Sequence, residues 1–443
     1  MKNTKTKKLL ALILALVMLV GSALPVFAEE AKDDAGTNVS LQEIAGEYVL
    51  ISYESYKSKY NYSTDLRTGE EVTVAATDYI TDEEYTTADI EKDTLDGVDC
   101  IVTGETGSVS WKVDVPKAGL YCVRFVYRSV TDKTTDIERV FKLNGKAPYQ
   151  EARYQSLHKT WSFEYLSENG EREGAFDLDI TENELRPTSK LNNVWTEHSI
   201  KDNDGYYTIP LEFYMEEGEN IITLEAVRDS VAISEVGIYT YEELPKYEDV
   251  RAEYEKKGYK PAKADTITFE AELPDLVSQY TIYPVYDRSS PLTSPQDAAR
   301  IMRNTIGADK WIANGQWIRY SFKCEESGLY QIGIRFMQDT LKGMYTSRSL
   351  KINGEYPFEE AKNCQFPYKN EFQYDYLNDG DTYFEFYFEK GKTYEIELEV
   401  ALGSFADIIR QVDGVITSLN EDYMRILELT GATADEYRDY GFT

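Results

Sequence analysis

Histidine is almost missing from this 443-residue chain, which has only His158 and His198, neither beside a Ser or Cys in a nucleophile context. A histidine-driven hydrolase or a histidine-rich zinc centre is thereby disfavoured. No G-x-S-x-G, H-E-x-x-H, phosphate-loop or dinucleotide fingerprint occurs either. Cysteine is scarce: Cys100, Cys122, Cys324 and Cys364 match no zinc spacing, and one disulfide per copy or buried free thiols both remain open. Positive charge is short as well, with 47 Lys+Arg against 79 Asp+Glu and a net charge of −32. Nucleic acid and anionic membrane are therefore disfavoured as partners. So many acids leave room for a glycosidase pair, yet nothing singles out an acid and a nucleophile, and we expect no enzyme.

Long apolar runs are absent too, apart from the start of the chain. Lys2, Lys5, Lys7 and Lys8 precede an apolar stretch from Leu9 to Val20, and Pro25, Phe27 and Ala28 follow before Glu29. That is the pattern of a secretory signal peptide, 1–28, too short in its apolar part for a transmembrane segment. No cysteine follows the run, which closes the lipoprotein route. The chain is expected to be secreted and extracellular or at the cell surface. Loss of the leader's four lysines takes the net charge from −32 to −36. With 42% hydrophobic residues and 36 tyrosines, the remainder can build ordinary cores.

What the chain does contain is a duplication. Residues 139–152 recur at 348–361 with seven of fourteen positions identical, among them Arg139 and Arg348 and the pairs Asn144-Gly145 and Asn353-Gly354. At the same offset of 209, Gly119 to Tyr121 matches Gly328 to Tyr330, and Phe163 and Tyr165 match Phe372 and Tyr374. Residues 211–218 match 384–391 at offset 173, so the first copy carries 36 extra residues, placed near 167–206. Two copies of one domain is a binding-protein layout.

Both copies read as β. Polar and apolar residues alternate over 111–115, 121–127, 221–227, 317–322 and 330–336, with β-branched and aromatic residues on the apolar side. Each Asn-Gly pair fits a type I′ turn. The fold expected is mainly β, two tandem jelly-roll sandwiches over 40–242 and 265–403. A charged linker at 243–264 includes a short helix from Tyr247 to Lys257. Beyond 404, Phe405, Ile408, Ile409, Val412, Val415, Ile416, Leu419, Tyr423, Ile426 and Leu427 share one helical arc that ends at Gly431. Such an amphipathic helix either lies on the second sandwich or serves another domain.

Sugar sites pair aromatic rings with amides and carboxylates, because rings stack on apolar C–H faces while hydroxyls need polar partners. Residues 306–320 supply both. Phe269-Glu270 and Glu272 opening a domain, then Trp311, Asn314-Gly315 and Trp317, then Gly328 to Tyr330, resemble carbohydrate-binding modules of families 6 and 35, which are galactose-binding-like sandwiches. The resemblance covers about 267–400, and more weakly about 45–240. It implies Trp311 as a stacking platform or a core ring, with Asn314 in the turn beside it and Trp317 in the core. It also implies a structural calcium at Glu270 and Glu272. Tyr368 in the second copy, and Tyr154, Trp161 and Trp195 in the first, are further candidate rings. The family's closing strand is not recognisable near 398–413. Leu419 to Leu427, Thr430-Gly431 and Tyr437 to Tyr440 resemble the segment that leads, in large exported Gram-positive proteins, into the solute-binding domain of a sugar ABC importer. A carbohydrate-binding protein, whether the N-terminal part of such a protein or a separate partner of it, is the expectation. The alternative is a docking protein that binds a protein and no sugar.

Overall fold

The computed structural model describes residues 50–166, 174–291, 293–431, Tyr437 and Tyr440. The expected leader and residues 167–173 of the expected insertion lie outside the described residues.

The first module opens with α1 (Tyr53–Lys59), whose N-cap Ser52 side chain accepts from the Ser55 N–H. One sheet is built from β1 (Glu71–Ala75), β2 (Ile90–Leu95), β3 (Val98–Thr103), β5 (Gly119–Ser129), β10 (Thr196–Ser199), β11 (Glu212–Met215) and β13 (Val231–Tyr239). Its order is β10-β5-β13-β3-β2, with β1 beside β13 and β11 beside β5. A second sheet runs β4 (Ser108–Val115), β12 (Gly218–Arg228), β6 (Ile137–Leu143) and β7 (Tyr154–Leu157), the last preceded by the single turn α2 (Gln150–Arg153). Alternation on β4 sends Trp111, Val113 and Val115 inward and leaves Lys112 and Asp114 exposed. These side chains meet Phe125, Phe141, Phe213, Ile222 and Ile233 in one cluster. Tyrosines complete it, because a buried ring is tolerated when its hydroxyl finds a partner. Tyr62 and Tyr149 donate to the Glu212 carbonyl at 2.8 and 3.1 Å, and the Tyr53 hydroxyl accepts from the Glu212 N–H at 3.1 Å.

The second module has β14 (Leu276–Val277), β17 (Trp317–Lys323), β20 (Tyr345–Ile352), β21 (Cys364–Pro367) and β24 (Thr393–Ala401) in one sheet, ordered β21-β20-β24-β17-β14. Short antiparallel pairs accompany it: β15 (Pro284–Val285) with β16 (Thr305–Ile306), β18 (Gly328–Tyr330) with β23 (Phe386–Phe388), and β19 (Gly333–Gln338) with β22 (Lys369–Tyr376). The duplication persists at the turns. Asn144 and Gly145 have φ of 52° and 80°, Asn353 and Gly354 have 53° and 84°. Asn144 Oδ1 accepts from the Ile221 N–H and Asn353 Oδ1 from the Glu395 N–H, each at 2.8 Å.

One segment departs from the sequence reading. The five-stranded sheet of the second module is continued past β14 by β8 (Thr160–Glu164) and β9 (Thr188–Asn192), which belong to the first copy. By the repeat offset, Phe163 and Tyr165 correspond to Phe372 and Tyr374 of β22. The strand in that structural place is instead β10, which pairs with β5 through His198↔Phe125 as β22 pairs with β19 through Asp375↔Ile334. The insertion thus begins before Thr160, and the arm 160–192 crosses to the second module, where Trp161 pairs with Val277. Alternating aromatics look the same whichever sheet edge they join, so local matching misplaced them. Trp161 and Phe163 are buried with Val277, Ile282 and Ile318 in a separate apolar cluster.

Both modules fall within one compact unit that begins at Leu50. Besides the arm, contacts between them include Lys201, whose ammonium lies 3.5 Å from Glu399. Glu399 continues an alternating row on the second sheet: Lys351 reaches Glu399 at 2.7 Å and Glu397 at 3.1 Å, and Arg319 reaches Glu397 at 2.7 Å. Before the second module stands α3 (Tyr247–Lys257), ended by Gly258 at φ 72°. Tyr247 fixes it, its ring 4.8 Å from Phe358 and 5.1 Å from Phe384. The four cysteines are buried free thiols.

The last helix, α4 (Phe405–Thr430), spans 26 residues and stops at Gly431. Only its first turns are anchored: Ala406 is buried, the Phe405 ring is 4.8 Å from that of Tyr345, and Arg410 donates to the Tyr206 carbonyl at 3.4 Å. The apolar stripe does not lie on the second sandwich. Ile408, Val412, Val415 and Leu419 are 58, 54, 60 and 62% exposed.

Candidate functional site

The loop 311–316 is organised by Gln316, whose side-chain oxygen accepts from the Ile312 and Ala313 N–H groups, each at 2.9 Å. Trp311 donates its indole N–H to the Gln316 carbonyl at 3.0 Å. Its half-buried ring packs against both apolar clusters of the second module, and the Arg348 guanidinium covers it at 4.2 Å. Burial depresses the Arg348 pKa to about 10. Of the two roles open to Trp311, this geometry is that of a packing ring. Asn314 faces the first module: its Nδ2 donates to the Asn203 carbonyl at 3.1 Å, and Gly205 rests against its amide.

The other candidates are dispersed. Trp161 is buried in the exchanged arm, its ring 5.6 Å from that of Tyr280. Tyr154 is half exposed on the first module, under Arg153 at 4.9 Å. The Trp195 indole N–H donates to the Leu95 carbonyl at 3.4 Å. Glu270 is exposed whereas Glu272 is buried, and among the described residues no group of three metal-ligating side chains converges.

Tyr368 is the candidate that lines a cavity. This space of ≈ 500 Å³ is bounded by Met344 and Tyr345 at the start of β20, Gln365 and Pro367 of β21, Tyr368, Asp375 of β22, and the following loop with Asn378, Gly380, Asp381 and Tyr383. The local chain explains the arrangement. The Tyr368 N–H donates to the Met344 carbonyl at 3.0 Å, and the Gln365 N–H to the Asn378 carbonyl at 2.9 Å, so three segments are held around one space. Asn378 shapes the loop: its Nδ2 donates to the Tyr376 carbonyl at 2.7 Å and its Oδ1 accepts from the Gly380 N–H at 2.9 Å. Gly380 has φ 102°, and a Cβ there would meet the Gln365 side-chain oxygen at 2.6 Å. Only glycine fits both demands. Asp375 accepts from the Tyr376 N–H at 2.9 Å, and its charge raises the Tyr383 pKa. The Tyr345 hydroxyl is bonded to Ser404 at the foot of α4.

Three phenol rings with an amide pair and two carboxylates around one space can hold a polyhydroxylated ligand: rings for its apolar faces, oxygens and amides for its hydroxyls. Sequence reasoning named Tyr368 and missed Tyr345, Asp375, Asn378 and Tyr383. The signal was the density of Tyr, Asp and Asn from Tyr374 to Tyr383.

No family profile and no curated relative matches the sequence. Solved structures similar in part include a family 35 carbohydrate-binding module from Clostridium thermocellum, at 14% identity and TM-score 0.23, covering 39% of this chain and 99% of that one. A family 6 module of Cellvibrio mixtus lichenase 5A in complex with cellotriose shows 13% identity and TM-score 0.21, covering 39% and 98%. For a Podospora anserina mannanase carrying a family 35 module, the values are 12% and 0.23, with 40% of this chain and 29% of that one covered.

Proposed function

We propose that this chain is an exported, non-catalytic carbohydrate-binding protein whose second module takes a sugar in the cavity of Tyr345, Tyr368 and Tyr383. The observation that carries the reading is this cavity, of ≈ 500 Å³, where those rings stand beside Gln365, Asn378, Asp375 and Asp381. Its size is that of a small-ligand pocket. Losing one stacking ring weakens binding by about 2 kcal/mol, roughly thirtyfold. Titration of a glycan array with residues 29–443 and with Tyr368→Ala tests the reading. Loss of binding at an unchanged melting temperature supports it, whereas glycan binding indifferent to Tyr368→Ala moves the site elsewhere.

The exposed stripe of α4 favours a second, compatible reading, in which the helix docks a protein partner. A solute-binding domain of a sugar ABC importer, in the same chain or separate, on a Gram-positive-type cell, is the partner implied by the resemblance at 419–440. Leu419→Asp should abolish association with such a domain. Association that survives this change removes the docking role. A structural calcium at Glu270 and Glu272 is likewise proposed on the resemblance alone, and a melting temperature unmoved by chelation removes it.

A further inference from the structure

The charge of the same cavity narrows what it takes. Among the described residues, its lining includes Asp375 and Asp381 and no Lys, Arg or His. Asp379 of the same loop accepts from the N–H groups of Asp381 and Thr382 at 3.0 and 2.8 Å. The nearest lysine in sequence to Tyr368, Lys369, is turned to Glu371 at 2.9 Å. Asp375 accepts from the Tyr376 N–H at 2.9 Å and from the Asn378 amide at 3.5 Å. A net charge of −32 on the whole chain adds a long-range field of the same sign.

Bringing any sugar into this space strips water from two carboxylates that have no cation in the lining. A ligand that brings its own positive charge offsets that cost, and a ligand with a carboxylate, sulfate or phosphate adds to it. Phenol rings favour the same sign, since an ammonium is attracted to the ring face. We propose that the cavity selects a cationic amino sugar, a hexosamine unit with a free ammonium group, over its N-acetylated form and over uronic acids, with Asp375 and Asp381 as the specificity-determining residues. This rests on the reading of the cavity as the sugar site.

The test is calorimetric titration of residues 29–443 with oligosaccharides matched in backbone and differing in charge: a glucosamine trimer and its N-acetylated counterpart, a galactosamine trimer and its N-acetylated counterpart, and a galacturonate trimer. The ammonium-bearing members should bind on the order of tenfold more tightly than their N-acetylated partners. That preference should shrink between about 20 and about 500 mM salt, because the Debye length contracts. It should shrink also in Asp381→Asn, whose side chain is exposed. Equal or tighter binding of the N-acetylated or galacturonate members overturns the selection while leaving the sugar site standing. A preference that Asp381→Asn and Asp375→Asn both leave unchanged overturns the role of these residues. Absence of binding to every member, on these backbones and on the glycan array, sinks the sugar site and the selection with it.

Discussion

Arg348 lies over the ring of Trp311, 4.2 Å from its centre, and donates to the Trp311 carbonyl at 3.1 Å. Its counterpart in the first copy, Arg139, does the comparable work without a tryptophan: it is buried and donates to the carbonyls of Gly104 and Asp229 at 3.3 and 2.9 Å. The duplicated arginine therefore ties down a loop at the edge of each sandwich, and in the second copy Trp311 is part of that fastening. Trp311→Ala should cost about 3 kcal/mol of stability through the void it leaves. Sugar binding by the folded fraction should persist. A Trp311→Ala protein that melts like the wild type but no longer binds glycan would restore the platform role.

Glu399 gives the contact between modules a pH dependence. Burial raises its pKa, but the charges of Lys351 and Lys201 outweigh burial and lower it from 4.5 to about 2. A carboxyl depressed in the folded state contributes stability above its unfolded pKa and loses it as pH falls through the folded one. The contribution should thus be complete at neutral pH and decline from about 4.5 towards about 2. Glu399→Gln should melt below wild type at pH 7, with the gap closing towards pH 2. A gap that is constant over that range contradicts the ion-pair account.

What was legible in the sequence was local. The turns at Asn144 and Asn353, the helix from Tyr247 to Lys257 and the stripe from Phe405 to Leu427 each rest on neighbours in the chain, where periodicity and turn chemistry act. The exchange of β8 was not legible, because Trp161 and Phe163 present the same alternation to either module. The cavity was barely legible, since Tyr345, Gln365, Tyr368, Asp375 and Tyr383 come from separate segments that only the folded loops assemble. Trp311 stood out by composition, yet its neighbour Arg348 is 37 positions away. No local pattern shows that the ring is covered.

The helix α4 touches the rest of the protein through Phe405, Ala406 and Arg410 and is exposed along its stripe beyond them. A chain ending at residue 411 should therefore keep the melting temperature of the chain ending at 431, and should be the more soluble of the two, because an apolar patch of this length promotes association. Calorimetry and sedimentation read both properties. A clear fall in melting temperature on removing 412–431 would show that the stripe stabilises a sandwich after all.

The arm formed by β8 and β9 makes the second module depend on the first. Val277 of β14 pairs with Trp161 on one side and with Ile318 on the other, and all three are buried in one cluster. A chain of residues 243–443 lacks the arm, so the β14 edge is left unpaired and Val277, Ile282 and Ile318 meet water. Unpaired edges with apolar neighbours associate. This shorter chain should aggregate or melt well below the second module in the full protein, and a peptide covering 158–194 should raise its melting temperature by binding the folded form. Within the full chain, Trp161→Ala should cost about 3 kcal/mol, because a buried indole is replaced by a cavity. That loss should appear in the transition of the second module, although Trp161 belongs to the first copy. Equal melting of residues 243–443 and of the second module in the full chain would mean that the arm is an ornament on an already complete sheet.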